Sequence, residues 1–337
     1  MRAIQIREYG TKFYLTQTRI PDIGVNEVLV EVKASGLCLT DIHLLEGVQS
    51  VDPLPRVPGH ENSGVISKVG SQVKGWRVGQ RVVLGIDANC GRCEFCQRGQ
   101  TELCIANQRV GFERDGGHAD YVAVPAANLI ELPDSISFED ACIIPDAIGC
   151  MYHSLVNLAG MRCGQKVAIL GAGGLGLHGI QLVKLMGSDV ITTSRRQSRL
   201  DMAASMGAEV VDTGKENIFD RVTKFTAGHG LDIVADCVGT KQSIKEGLAM
   251  LKPGGTFLLL AYIDKELTFD SIPFFSKEKR ILGCRGCTRL EIKQVIDLMA
   301  EGKLSSIIGA RYPIEEFNEA ADELRQGHVV GRTVITR

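Results

Sequence analysis

The chain reads as an α/β protein in two parts, one β-rich and one a doubly wound parallel sheet. Three observations predict this. The first part carries short strand signals punctuated by glycines. From about residue 145 strands and helices alternate at a regular beat, the pattern of a parallel sheet with crossover helices. And a glycine turn, Gly171-Ala-Gly173-Gly174-Leu175-Gly176, directly follows the first of those strands and opens a helix. With 337 residues, 44% of them apolar, there is core enough for two domains.

In chain order, Val28-Leu-Val-Glu-Val-Lys33 alternates at period two and predicts a half-buried strand. Glycines punctuate the stretch from Gly59 to Gly85, and Arg81-Val-Val-Leu-Gly85 reads as a strand ending in a turn. Cys150 to Leu158 reads as helix. Lys166-Val-Ala-Ile-Leu170 is a buried strand, Leu175 to Met186 a helix, Asp189-Val-Ile-Thr-Thr193 a strand, Arg199 to Met206 a helix and Glu209-Val-Val-Asp212 a strand. The beat continues through Ile233-Val-Ala-Asp236 and Thr256-Phe-Leu-Leu-Leu260. From about residue 288 the alternation stops, and Thr333-Val-Ile-Thr336 is a late strand. There is no internal repeat.

Cys90-Gly-Arg-Cys93-Glu-Phe-Cys96, followed by Cys104, has the spacing of a four-thiolate zinc site. Four protein ligands leave no open position, so such a site is structural. A disulfide cluster is the competing reading. Met1-Arg-Ala-Ile-Gln-Ile-Arg-Glu8 lacks the apolar stretch of an export signal, and the 11 cysteines are odd in number. Both features favour thiols and metal ligands in a reducing compartment, and cytoplasmic residence is expected. The net charge is −2, from 38 basic and 40 acidic residues, with no basic stripe. Nucleic acid and anionic membrane are therefore not expected partners. No stretch is long and apolar enough to predict a membrane span.

GxGxxG alone is weak, but a strand before it and a helix after it make it a dinucleotide site. The glycines allow a tight turn and close approach of a pyrophosphate to the helix N-terminus. An acid usually stands at the end of the second strand to hold the ribose hydroxyls of NAD. Here Ser194 stands there, followed by Arg195 and Arg196. A hydroxyl and two guanidiniums suit a 2′-phosphate, so NADP(H) is expected over NAD(H). A second metal constellation is suggested by Cys38-Leu-Thr40-Asp41-Ile-His43, by Gly59-His60-Glu61 and by Asp146 after Pro145. Cys, His and carboxylate can hold Zn²⁺ with one position open. Spacing alone leaves open whether the three groups meet.

The chain resembles the zinc-dependent medium-chain alcohol dehydrogenase family over essentially its whole length. Gly59-His-Glu-x-x-Gly64, Gly70, Val73, Gly79 and Arg81-Val82 match that family's signature around its zinc-binding histidine. Gln80 departs from it, where Asp is common. The resemblance implies a GroES-like catalytic domain over 1–147 and 288–337 and a Rossmann domain over 148–287. It implies Cys38, His60 and Asp146 as ligands of a catalytic zinc, and Cys90, Cys93, Cys96 and Cys104 as ligands of a structural one. Asp146 stands where many members carry Cys, and an Asp there resembles the NADP-linked secondary alcohol dehydrogenase branch. Asp41 would hydrogen-bond His60, and Glu61 would sit beside the metal or ligate it transiently. Thr40 would touch the substrate oxygen, and His43 would end a proton relay.

On the cofactor side Gly171, Gly173, Gly174, Leu175 and Gly176 would cradle the pyrophosphate. Ser194, Arg195, Arg196 and Arg199 would surround the adenosine ribose, Arg332 would reach the pyrophosphate, and Val238 and Leu260 would flank the nicotinamide. Gln49, Leu44, Ile86 and Cys150 would line a small-molecule pocket. Cys284-Arg-Gly-Cys287 would pack at a dimer-forming strand. The family implies a homo-oligomer, and this chain's short length favours a tetramer over a dimer. The implied activity is hydride transfer between an alcohol, preferably secondary, or its ketone or aldehyde, and NADP(H). Two alternatives are a zinc-free enone or quinone reductase of the same superfamily and a non-catalytic NADPH-binding protein. The intact ligand and relay residues argue against both.

Overall fold

The computed structural model describes every residue except Thr11 and Lys265. The chain divides into two compact units, Met1–Gly149 with Gly286–Arg337, and Cys150–Arg285.

Among the described residues, the main sheet of the first unit has seven strands. Its order is Ile308–Pro313, Arg332–Thr336, Glu27–Leu37, Glu61–Val69, Arg81–Leu84 and Leu129–Glu131, with Tyr121–Pro125 also pairing with Glu27–Leu37. The pairings are antiparallel except that of Ile308–Pro313 with Arg332–Thr336. The apolar phase of Val28, Val30 and Val32 turns these valines into one core with Ile66, Val82, Leu84, Val122 and Val124. A second core gathers Ile4, Phe13, Leu37, Leu44, Phe317 and Ile335. Side chains alternate across a strand, so one valine-rich strand can serve a core while its ends present polar residues.

The second unit holds a parallel sheet, six-stranded among the described residues. Its order is Glu209–Asp212, Asp189–Ser194, Lys166–Leu170, Leu231–Asp236, Leu251–Leu259 and Arg280–Gly283. The chain starts in the middle, winds outward one way, then crosses back and winds the other. Lys166–Leu170 and Leu231–Asp236 therefore flank the topological switch point, where open α/β sheets bind ligands. Ala168, Leu170, Ile191, Val211, Val234 and Phe257 form the core.

Two elements differ from their sequence reading. The strand read as starting at Thr256 begins at Leu251 and runs through Pro253-Gly254-Gly255, with a register shift against its neighbour between Leu231 and Ile233. Proline and two glycines read as a turn, but a bulge accommodates them within the strand. The segment 150–158, read as ordinary helix, widens to i→i+5 turns over His153–Leu158. Hydrophobic periodicity does not separate the two forms of turn.

Candidate active site and metal centres

The four lobe cysteines lie on a one-turn helix, Glu94–Gln97, and the turns around it. Gly91 and Gly99 sit at φ +69° and +79°, a conformation that a side chain would strain. The four sulfurs lie within 4.8 Å of one another, with Cys93 Sγ 3.5 Å from Cys96 Sγ. Backbone N–H groups of Cys96 and Ile105 stabilise the Cys93 thiolate and pull its pKa down to about 6. Burial and the neighbouring thiols Cys93 and Cys104 push Cys96 up to about 12. A set of converging thiols that resists full ionisation by itself is suited to a soft divalent cation. No cysteine is in a disulfide.

The second donor set is assembled from three places in the first unit. Cys38 ends the strand Glu27–Leu37 and opens the helix Leu39–Leu45, where its N–H is held by Asp41 Oδ2 at 3.0 Å. His60 precedes the strand Glu61–Val69, next to Gly59 at φ +102°. Asp146 sits in a wide turn, Ile144–Ile148, of the i→i+5 type that recurs at functional sites. The ligand atoms of Cys38, His60 and Asp146 lie within 4.8 Å of one another. Asp146 Oδ2 is 3.6 Å from Cys38 Sγ and 3.5 Å from His60 Nε2. Burial opposes charge on His60, but Asp146, Cys38 and Asp41 overcome it and raise its pKa well above the usual value. Burial likewise opposes charge on Asp146, yet His60 and Arg332 hold it far below the ordinary carboxylate range. A thiol, an imidazole and a carboxylate that converge in this way fit Zn²⁺ with a position left for another ligand. So the three residues that spacing could not join do meet.

Thr40 Oγ1 lies 3.5 Å from the Cys38 sulfur, and His43 follows three residues on along the same helix. His43 is half-buried, which pulls its pKa down. Asp41 faces His60 at 3.9 Å, longer than the expected hydrogen bond. Glu61 is fully buried. Its Oε1 accepts from the Ala147 N–H at 3.2 Å and from Arg332 Nη2 at 2.5 Å. Burial pushes Glu61 up to about 7, against the pull of Arg332. Arg332 also donates to Asp146 Oδ2 at 2.5 Å, so one guanidinium clamps both carboxylates. The resemblance implied a pyrophosphate contact for Arg332, and these two carboxylates are the partners the structure gives it. Leu44 is fully buried in the core and Ile86 nearly so, while Gln49 is partly exposed. Cys287 lies outside the strand Arg280–Gly283. It is buried and donates to the Pro145 carbonyl at 3.2 Å, whereas Cys284 follows that strand directly. Sequence reasoning missed His118, which is fully buried 3.5 Å from Asp41. A lone histidine in Gly116-Gly117-His118 carries no spacing signal.

In the second unit the glycine turn joins the strand Lys166–Leu170 to the helix Gly174–Leu185. Gly171 sits at φ +95°, and a Cβ there would also meet Val238 Cγ2 at 2.9 Å. A Cβ on Gly176 would fall 2.0 Å from the Gly171 carbonyl, so the helix packs on the turn only without one. A Cβ on Gly173 would meet nothing, which leaves that side of the turn open to a ligand. The first-turn N–H groups have no intrahelical partner and face an anion favourably. Ser194 ends the second strand, where its Oγ accepts the Arg196 N–H at 3.0 Å. Arg195 and Arg196 are exposed, and Arg199 is partly buried in the first turn of the helix Gln197–Ser205. Burial and the nearby Arg196 both lower the pKa of Arg199, as expected where cations gather. Val238 follows the strand Leu231–Asp236 and is held by Asp236 Oδ1 at 2.9 Å, and Leu260 follows Leu251–Leu259.

No helix among the described residues is long and apolar enough to cross a membrane. Residues 24–134 match the alcohol dehydrogenase GroES-like domain, and residues 174–301 match the zinc-binding dehydrogenase domain. The chain is 31% identical to an alcohol dehydrogenase of Geobacillus stearothermophilus over 99% of both chains. It is 30% identical to an L-threonine 3-dehydrogenase of Yersinia pseudotuberculosis, over 100% of this chain and 99% of the other. The alcohol dehydrogenase structure from the archaeon Aeropyrum pernix superposes with a TM-score of 0.94 at 28% identity, covering both chains in full. With a GroES-like unit, a doubly wound parallel sheet and these relatives, the chain belongs to the zinc-dependent medium-chain alcohol dehydrogenase family and is an oxidoreductase.

Proposed function

We propose that this chain is a zinc-dependent dehydrogenase that interconverts an alcohol, preferentially secondary, with its ketone or aldehyde, using NADP(H). The observation that carries the reading is the convergence of Cys38, His60 and Asp146 within 4.8 Å. A Zn²⁺ held by these three supplies Lewis-acid activation of a substrate oxygen, and nicotinamide supplies or accepts a hydride. The chain's own groups do the rest. Thr40 positions the substrate hydroxyl and accepts its proton while passing its own hydroxyl proton outward. His43, three residues further along the helix and so on the same face, is the outward acceptor. Its lowered pKa keeps it neutral and ready for a proton at neutral pH. Arg332 clamps Asp146 and Glu61, which holds the carboxylate ligand in one orientation. Cys90, Cys93, Cys96 and Cys104 form the structural zinc site.

Preference for NADP(H) rests on Ser194 with Arg195, Arg196 and Arg199, cations and a hydroxyl where an acid would repel a 2′-phosphate. A homo-oligomer, tetrameric by the family resemblance, is supported by the edge strand Arg280–Gly283 and the exposed Phe269, Ile272 and Phe275 nearby. Size-exclusion chromatography with light scattering tests it, and a monomer at micromolar concentration would refute it. The deciding experiment is elemental zinc analysis paired with NADP⁺ and NAD⁺ reduction over a panel of alcohols. The expected result is two zinc ions per chain, one for each donor set, and turnover favouring NADP⁺. One zinc and no turnover would overturn the dehydrogenase reading.

A further inference from the structure

Behind His60 runs a line of buried polar groups that the mechanism above does not use. Arg337 donates through Nη2 to Ser35 Oγ at 3.1 Å and to the Gly117 carbonyl at 2.6 Å. Ser35 Oγ lies 2.9 Å from His118 Nδ1. His118 Nε2 lies 3.5 Å from Asp41 Oδ2, and Asp41 Oδ1 lies 3.9 Å from His60 Nδ1. Ser35, Asp41 and His118 have no exposed surface, and His60 has 3%. His118 Nε2, Asp41 Oδ1 and His60 Nδ1 are all buried and lack a hydrogen-bond partner. Buried polar atoms are nearly always satisfied, so three unsatisfied ones that face each other along one line call for an explanation.

The direction of the line follows from donor chemistry. A guanidinium only donates, so Ser35 Oγ accepts from Arg337 and has its own proton left to give. His118 Nδ1 is then the acceptor, and the ring proton sits on Nε2, facing Asp41. Burial pulls the His118 pKa down, which favours this neutral form. Asp41 Oδ2 accepts the Cys38 N–H and faces His118 Nε2, and Oδ1 faces His60 Nδ1. With Oδ1 at 3.9 Å, Nδ1 is the ring nitrogen of His60 that keeps its proton, and Nε2, on the side of Asp146, is the one that yields its proton to a metal. The ring of His118 is gripped as well. It packs edge-on against Phe317 with centroids 4.7 Å apart, and a Cβ on Gly59 would fall 2.7 Å from its Cγ.

We propose that His118 is a positioning residue. With Ser35 and Arg337 it fixes the Asp41 carboxylate, and through Asp41 the ring orientation and tautomer of His60, so that Nε2 is presented to the metal. The inference rests on the reading of Cys38, His60 and Asp146 as a metal centre. Partners of this kind beyond the ligands typically change metal affinity by roughly 10–100-fold. The test is chelator competition on the full chain, with Zn²⁺ and with Co²⁺, whose visible spectrum reports coordination. Parent, His118→Phe, His118→Gln, Ser35→Ala and the double variant His118→Phe/Ser35→Ala are compared.

The parent should bind two ions. His118→Phe keeps an aromatic ring against Phe317. It should retain the lobe ion, bind the second about 10-fold or more weakly and shift its cobalt spectrum. His118→Gln, which restores a donor, should recover part of the loss. Ser35→Ala should weaken the second ion in the same direction, and the double variant should be no weaker than His118→Phe, as for members of one chain. Parent affinity and an unshifted spectrum in His118→Phe, or additive losses in the double variant, would overturn the relay. A parent that binds only one ion would overturn the metal-centre reading and the relay with it. If His118→Phe does not fold, Ser35→Ala decides by the same two readouts.

Discussion

Arg332 shows how one residue can tie a site together. Its guanidinium joins Glu61, on one strand, to Asp146, in a wide turn, from a second strand 186 positions beyond Asp146. Removing one member of such a buried charged set leaves the others uncompensated. Asp146→Ala should release the zinc of that centre and leave the lobe zinc, so metal content falls by half. Parent zinc content in that variant would show that Asp146 is not a ligand. On the cofactor side, a charge-assisted hydrogen bond to phosphate contributes about 1.5–3 kcal/mol, or roughly 10–150-fold in affinity. Arg196→Glu should therefore raise the KM for NADP⁺ by at least about 10-fold while leaving that for NAD⁺ nearly unchanged. An equal effect on both cofactors would contradict the 2′-phosphate assignment. The convergence of the cysteine lobe was legible because its four thiols are local in sequence. The Arg332 clamp and His118 were not, because their partners lie far away along the chain and no local periodicity marks them.

At the scale of elements, glycine chemistry decides how the nucleotide turn is built. The Cβ of Gly176→Ala would sit 2.0 Å from the Gly171 carbonyl, so the helix Gly174–Leu185 must lift from the turn. Overpacking of this kind typically costs 1–3 kcal/mol. The variant should lose most of its NADP(H) affinity while keeping both metals, as read by cofactor fluorescence titration beside elemental analysis. Retained affinity would show that the turn tolerates a methyl group. This motif was fully legible, since strand, turn and helix are consecutive. The strand Leu251–Leu259 was half legible, because Lys252-Pro253-Gly254-Gly255 carries turn residues and only its pairing with Leu231–Asp236 keeps it extended. Tertiary pairing overrode a local signal.

For the whole molecule, surface ion pairs set the acid limb of stability only weakly. Asp120 is an instance. Burial would raise its pKa, but hydrogen bonds from the Arg2 side chain and backbone lower it below 3.8. A lowered carboxylate stabilises the fold fully above its unfolded pKa, and that contribution fades as pH falls through the folded value. Asp120→Asn should thus lose under about 1 kcal/mol at neutral pH, and its deficit should shrink below pH 3.8. Urea melts across pH check this, and a deficit that grew with acid would contradict the sign.

The route of the chain has a consequence for the order of events during synthesis. The strand Arg332–Thr336 pairs with Glu27–Leu37, register Thr333 to Leu37, and carries the arginine that clamps Asp146. Unit Cys150–Arg285 is continuous, so it can fold on the ribosome as soon as it emerges. The first unit must wait for a segment made some 300 residues after its opening strands. Protease protection of stalled nascent chains should therefore appear in the second unit first, and the metal proposed at Cys38, His60 and Asp146 should be captured only after release. Early protection of residues 27–69 would reverse that sequence, and a newly made chain would then acquire its metal before its cofactor fold.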